Sequence, residues 1–206
     1  MLKLIGRRSS SNVQKVLWCC AELGLAFERT DLGGKFGGND QPEYRRLNPN
    51  GLVPTLIDGD LVLWESNTIV RYLSEIHGAG TLWPTEPRKR AVGGKWMDWQ
   101  LTVLSPAMRP VFSTVVRSPP EKRNAAEFGA ACDRLSNAFK MLDGALAEAP
   151  YLAGEAFSMC DIPAGIAAYR WFNMDIPRAE CPHVRAWYER LAARPAYQRE
   201  IMVGLE

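Results

Sequence analysis

Asn50-Gly51-Leu52-Val53-Pro54-Thr55-Leu56-Ile57-Asp58-Gly59-Asp60-Leu61-Val62-Leu63-Trp64-Glu65-Ser66-Asn67 is the stretch that decides how this chain begins to fold. Two short apolar runs, Thr55 to Ile57 and Leu61 to Trp64, flank Asp58-Gly59-Asp60. An Asp-Gly pair between such runs is a strong short-range signal for a β-hairpin. Pro54 has no N–H to give a strand ladder, so it belongs at a strand start, an edge or a special turn. A cis Val53–Pro54 bond would turn the Val53 N–H and C=O outward for a peptide-like ligand; an ordinary trans proline opening a strand is the alternative. Ser66 opens a helical pattern through Tyr72 to His77, with Ile69, Val70 and Leu73 on one face.

Upstream, Leu2 to Ile5 reads as a strand and Val13 to Leu25 as a helix stopped by Gly24. Phe27 to Leu32 reads as a second strand, and Gly33-Gly34 and Gly37-Gly38 mark a solvated loop. A short helix is expected around Glu43 to Leu47 before the turn residues Asn48-Pro49-Asn50-Gly51. Downstream, Gly78 to Pro87 is broken by glycine and proline and is read as a boundary, giving domains over 1–80 and 87–206. Beyond it everything is helical: Arg88 to Val116, Pro120 to Leu146, Ile162 to Phe172, Val184 to Ala193, and the tail from Ala196. Pro106 and Pro110 should bend or interrupt the first of these, because proline removes a donor and crowds the preceding turn. The order β-α-β, β-β-α, then helix alone predicts an α/β domain with a mixed sheet, followed by an all-α domain.

Composition narrows the function. The 206 residues are 47% hydrophobic and 23% charged, a globular average. Twenty-five Lys and Arg against 23 Asp and Glu leave +2, too little for a chain built to grip a phosphate backbone, so no nucleic-acid partner is expected. The longest apolar window, Val13 to Leu25, carries Gln14, Lys15 and Glu22, which argues against a membrane span. Five cysteines with no C-x-x-C, Cys19, Cys20, Cys132, Cys160 and Cys181, fit small core residues in a reducing cytoplasm. His77 and His183 show no ligand spacing and read as structural, so no metal is expected.

Three elements carry candidate chemistry. Arg8-Ser9-Ser10-Ser11-Asn12 sits between the first strand and the first helix. Such residues cap helices, and a hydroxyl donor at a helix start also stabilises an anion, including a thiolate. The Val53-Pro54 turn is the second element. Glu65-Ser66 is the third: an acid to take an ammonium, beside a hydroxyl and a helix start to take a carboxylate.

Taken together, G-R-x-S-x-S-N-V-x-K-V at the N-terminus, N-P-N-G-x-V-P-T-L and L-x-W-E-S-N-x-I-V-R-Y-L resemble the N-terminal half of bacterial cytosolic glutathione transferases, theta-like and nu-like members above all. Lys95-Trp96-Met97-Asp98-Trp99, Arg117-Ser118-Pro119-Pro120-Glu121-Lys122-Arg123 and Phe157-Ser158-Met159-Cys160-Asp161-Ile162 extend the resemblance through the second half, the last as a helix cap formed by Ser158 and Asp161.

The resemblance implies a thioredoxin-like domain that binds glutathione and a helical domain that completes the electrophile pocket of a detoxification enzyme. It implies a cytoplasmic homodimer with glutathione as co-substrate, a small electrophile as second substrate, and no metal. Val53 would pair with the cysteinyl backbone of glutathione beside a cis Pro54, and Glu65 and Ser66 would hold the γ-glutamyl end. The activating hydroxyl falls on Ser10, with Ser11 and Asn12 as alternatives. Many relatives carry lysine where Leu52 stands, for the glycyl carboxylate, and Lys35 is the candidate replacement. For the electrophile, the candidates are Trp99, Met108, Arg109 and Phe112, although aromatic and Met residues at helical spacing also read as core. Arg109 is the cation between Pro106 and Pro110, suited to an anionic substrate. Glutathione-dependent reduction of disulfides or peroxides, and a non-catalytic binding protein of this fold, are the competing functions.

Overall fold

The structure, a computed structural model, describes residues 1–119, 121 and 124–205. Pro120, Lys122 and Arg123, part of one quoted motif and of one expected helix, lie outside the described residues, as does Glu206. The chain divides into two compact units, Met1–Trp83 and Pro84–Glu206.

The first unit runs β1 (Leu2–Ile5), α1 (Ser11–Leu23), β2 (Phe27–Thr30), α2 (Pro42–Leu47), β3 (Thr55–Asp58), β4 (Leu61–Trp64) and α3 (Ser66–His77). The four strands form one mixed sheet in the order β2-β1-β3-β4. β1 and β2 are parallel, and β3 is antiparallel to both β1 and β4. Gly24 ends α1 in a left-handed conformation, φ 65°, its N–H turned back to the last carbonyls of the helix. Gly59 takes φ 61° in the two-residue turn that pairs Asp58 with Leu61. α1 packs on α3, and the buried face of α1 from Val13 to Cys20 meets Ile69, Val70 and Leu73 of α3 in the core. β2 is shorter than its alternation suggests, stopping at Thr30; the Thr30 and Leu32 carbonyls accept instead from the N–H groups of Gly6 and Arg7, just past β1.

The second unit comprises α4 (Pro87–Trp99), α5 (Ser105–Phe112), α6 (Ala125–Glu148), α7 (Asp161–Asn173), α8 (Pro182–Ala192) and α9 (Pro195–Glu200). The expected bend is two π turns, Gln100–Leu104 and Ser113–Arg117, either side of the segment that holds Pro106 and Pro110. A widened turn absorbs the missing donor and ring crowding of proline without ending the helix.

The core of this unit is organised by one carboxylate. Asp161 is fully buried. Its Oδ1 accepts from Leu152 N and Trp187 Nε1, each at 3.0 Å, and its Oδ2 accepts from Ser158 N at 3.0 Å. Ser158 Oγ accepts from Cys160 N at 3.3 Å, so the start of α7, the 149–160 connection and α8 share one polar knot. Burial pushes the Asp161 carboxyl up from 3.8 to about 6, while the bonds it accepts from these three N–H groups and from the Ser158 hydroxyl, at 3.4 Å, pull the other way.

Asp161→Ala strands three buried donors and should cost about 3–5 kcal/mol of stability in urea unfolding. The pH dependence has a definite sign. Because the native state holds the Asp161 proton to higher pH than the unfolded chain does, the contribution of this group to stability declines as pH rises from about 4 to about 6. The wild-type minus Asp161→Asn stability difference, followed by urea midpoints between pH 3.5 and 7, should fall across that window and level off above it.

Candidate functional site

The antiparallel ladders set the site. Ile5 at the end of β1 lies opposite Thr55 at the start of β3, and Thr55 lies opposite Trp64 at the end of β4. That single row brings three chain segments to one end of the sheet. They are Gly6 to Ser10 leaving β1, Val53-Pro54 entering β3, and Glu65-Ser66 leaving β4. The approach is close: a Cβ on Gly6, φ 150°, would lie 2.6 Å from Val13 Cγ2 and 3.0 Å from Val53 Cβ.

The first segment places Ser10 at the N-cap of α1 in extended conformation. Its side chain makes no cap hydrogen bond, so the hydroxyl is not committed to the first-turn N–H groups. Ser10 and Ser11 are half-buried and Asn12 is exposed. Asn12 Oδ1 accepts from Ser66 Oγ at 3.3 Å, a direct link between the starts of α1 and α3.

The second segment is held in place from the side. Tyr44 Oη donates to the Leu52 carbonyl at 2.6 Å and is 2.9 Å from Thr55 Oγ1. Asn48 Nδ2 donates to the same carbonyl at 2.7 Å, and its Oδ1 accepts from Asn50 N at 3.1 Å. Asn39 Nδ2 donates to the Gly51 carbonyl at 2.8 Å. The Val53–Pro54 peptide is cis. Burial raises the Tyr44 hydroxyl pKa, against hydrogen bonds from Thr55 and Asn48 that lower it, so it remains a neutral donor at physiological pH. The Leu52 side chain points away from all this, 64% exposed. Sequence reading missed Tyr44 and Asn48. A tyrosine in a six-residue helix and an asparagine in a turn carry no signal of their shared target.

The third segment contains the one non-glycine residue among those described with positive φ. Glu65 sits at φ 71°, ψ 106° as the N-cap residue of α3, exposed, its carbonyl accepting from Ile69 N at 3.0 Å. The cap position is therefore Glu65 and not Ser66, as a Ser-first helix pattern suggests. Ser66 is the first helical residue, buried, with its hydroxyl turned to Asn12. Backbone strain of this kind concentrates at functional positions.

Lys35 lies in a tight 3₁₀ turn, Gly34–Phe36, closed by Gly33 N to the Gly37 carbonyl at 2.7 Å, rather than in an unstructured loop. It is exposed, its ammonium 5.4 Å from the centre of the Phe36 ring. The Arg7 side chain packs against this turn, where a Cβ on Gly34 would lie 2.8 Å from Arg7 Nε. In the second unit Met108 and Phe112 are buried, Trp99 is half-buried and edge-on to Trp96 at 5.2 Å, and Arg109 is exposed. The Phe112 ring faces two guanidiniums that sequence reading passed over, Arg170 at 4.1 Å and Arg117 at 5.6 Å. Arg170 is nearly sixty residues away in sequence, so nothing local marks the pairing.

The five cysteines are free and buried, and burial raises the Cys19 thiol pKa far above its usual range. None stands among the three segments. His77 and His183, expected to be structural, are both exposed near helix ends. No helix among the described residues is long and apolar enough to cross a membrane, and no group of three or more metal-ligating side chains is found among them.

Residues 1–75 match the family model of the glutathione S-transferase N-terminal domain, and residues 103–195 match that of the C-terminal domain. The chain belongs to the glutathione S-transferase family. Glutathione S-transferase GstB of Escherichia coli K12 is 40% identical over 205 residues, covering 98% of this chain and 99% of that protein. Glutathione S-transferase 3 of Zea mays is 34% identical, covering 97% and 93%. Among solved structures, a theta class glutathione S-transferase from the citrus canker pathogen Xanthomonas axonopodis pv. citri, with glutathione bound, superposes with a TM-score of 0.95. It is 50% identical, and the alignment covers 100% of this chain and 99% of that one. As a glutathione transferase, the chain is an enzyme.

The strain at Glu65 can be measured directly. Glu65→Gly removes the Cβ that disfavours φ 71°, and should stabilise the protein by about 1 kcal/mol in denaturant unfolding. An unchanged or lowered midpoint would mean the backbone there is not strained.

Proposed function

We propose that the end of the β2-β1-β3-β4 sheet binds glutathione and activates its thiol for attack on a small electrophile. The observation that carries this is the Ile5–Thr55–Trp64 row, which gathers the three segments at one place. Glutathione is an extended peptide with a zwitterionic γ-glutamyl head. The Val53 N–H and C=O pair with its cysteinyl backbone, with Pro54 fixing the turn, and the Tyr44 and Asn48 hydrogen bonds to the Leu52 carbonyl hold that turn still. Glu65 takes the γ-glutamyl ammonium, and Ser66 with the first N–H groups of α3 takes the carboxylate. Leu52 offers no charge to the glycyl carboxylate; Lys35 takes that role.

The chemistry follows from the helix start. A free thiol titrates near ~8.5, so at neutral pH only a few per cent is the nucleophilic thiolate. Ser10 donates its hydroxyl hydrogen to the sulfur, and the uncapped N–H groups of α1 add the positive end of the helix dipole. Both favour the anion, and the thiol proton leaves to solvent. The sulfur then bonds to the electrophilic carbon, either adding to it or expelling a leaving group with its electron pair. Among the electrophile candidates Trp99, Met108, Arg109 and Phe112, Met108 and Phe112 are buried, and the exposed Arg109 suits a bidentate contact to an anionic group. The working form is a homodimer in the cytoplasm.

Two measurements test this reading. Thiolate absorbance of enzyme-bound glutathione, titrated with pH, should show a depressed pKa in the wild type that moves upward in Ser10→Ala. If Ser10→Ala changes neither pKa nor rate while Ser11→Ala or Asn12→Ala abolishes both, the activating group is the neighbour. For Arg109→Ala, kcat/KM should fall by an amount worth about 1.5–3 kcal/mol on an anionic haloacid, and little on a neutral aryl halide. Equal losses on both substrates would remove Arg109 from the site.

A further inference from the structure

Lys15 lies in the second turn of α1 and is 1% exposed, one of the largest fully buried side chains among the described residues. Lysine is almost never buried to this degree without a specific partner, because its ammonium gives up its hydration. Lys15 Nζ donates to Asn67 Oδ1 at 3.0 Å, and Asn67 is itself 1% exposed. One turn earlier on α1, Asn12 accepts from Ser66 at 3.3 Å. Asn12 and Lys15 are three residues apart and so share a face of α1. Ser66 and Asn67 are the first two residues of α3. The result is a two-rung polar ladder from the first two turns of α1 to the first turn of α3; further along the same two helices Cys19 Sγ lies 3.9 Å from the Val70 carbonyl and 3.7 Å from Ser74 Oγ.

The ladder is not the whole of the contact between these helices. The apolar contact of α1 with α3 through Val13, Val16, Ile69, Val70 and Leu73 is already closed. A buried ammonium lies at the expensive end of the means by which a protein can fix two helices, and apolar replacement of both partners of a buried polar pair is often neutral. What hydrogen bonds add is directional register. The Lys15–Asn67 bond adds it at the first turn of α3, beside the ligand-facing residues Glu65 and Ser66 proposed above.

We infer that Lys15 and Asn67 are positioning residues for the glutathione site, holding the start of α3 in fixed register with the start of α1. The inference rests on the proposed assignment of the thiol to Ser10 and of the γ-glutamyl end to Glu65 and Ser66. These groups grip the same small molecule at two points and stand on different helices, so the reward for binding both ends depends on the register between the helices. The Lys15 and Asn67 side chains touch neither end. They act through the placement of Ser10, Asn12 and Ser66.

The test is a double variant, Lys15→Met with Asn67→Leu, which replaces both partners by apolar groups of similar volume. Thermal unfolding should stay close to wild type. The informative quantity is a ratio: kcat/KM for glutathione over kcat/KM for cysteinylglycine, a thiol without the γ-glutamyl group, against one neutral aryl halide. In the wild type the ratio is large, because the γ-glutamyl contacts place the sulfur. In the double variant it should drop by about tenfold or more, since a misplacement of about 1 Å has effects of that size. A role confined to folding would lower both activities together and leave the ratio unchanged, which overturns the inference. Should the double variant not fold, Asn67→Ser shortens the acceptor out of reach of Lys15 and must give the same drop; an unchanged ratio there overturns it as well. A wild type with no preference for glutathione over cysteinylglycine would instead sink the glutathione assignment itself, a different result from an unchanged ratio in the variants.

Discussion

The antiparallel pairing of β1 with β3, and of β3 with β4, is the constraint on which the rest of the active region depends. Because the strands run in opposite directions, the exit of β1, the entry of β3 and the exit of β4 fall on one row, Ile5–Thr55–Trp64. A serine-bearing loop, a proline turn and a strained glutamate meet there although they are spread over nearly sixty residues. A slip of β3 by one residue would turn its apolar face to solvent and carry Pro54 out of line with Gly6. The buried Leu4–Leu56 pair guards against that slip, since both side chains are almost wholly excluded from water in the observed register.

Around that row the protein uses polar groups sparingly and for placement. Tyr44 and Asn48 converge on one carbonyl, that of Leu52, and so fix the residue before Val53. Lys15 and Asn67 do the corresponding work between α1 and α3. In the second unit Asp161 gathers donors from the 149–160 connection and from α8. Each is a hydrogen-bond hub that is costly to leave half-satisfied. The chemistry proposed at Ser10 demands this rigidity. A hydroxyl and a helix end stabilise a thiolate only if they need not reorganise when the charge appears.

Much of the architecture was legible from the chain alone. The Asp58-Gly59-Asp60 turn, the Gly24 stop and the Ser66 helix start are local signals, carried by residues whose backbone preferences act within a few positions. The expected loop over Gly33 to Gly38 turned out to be a closed 3₁₀ turn, because the Gly33 to Gly37 hydrogen bond and the packing of Arg7 are not visible in composition. The π turns around Pro106 and Pro110 were foreseen only as a disturbance. Over five residues, π and α periodicities place apolar side chains too similarly to be told apart.

The sequence by itself determined the elements, the family resemblance and the residue types available for thiol chemistry, since strand alternation, capping and turn preferences are properties of short segments. Tertiary structure decided which of those residues meet. A lysine in a helix ordinarily reads as a solvated charge, and Lys15 becomes a buried tether only because α3 lies across it. Glu65 is an ordinary exposed acid until the turn from β4 into α3 forces its backbone to φ 71°. Long-range contacts of this kind follow from strand register and helix packing, which no window of neighbouring residues encodes.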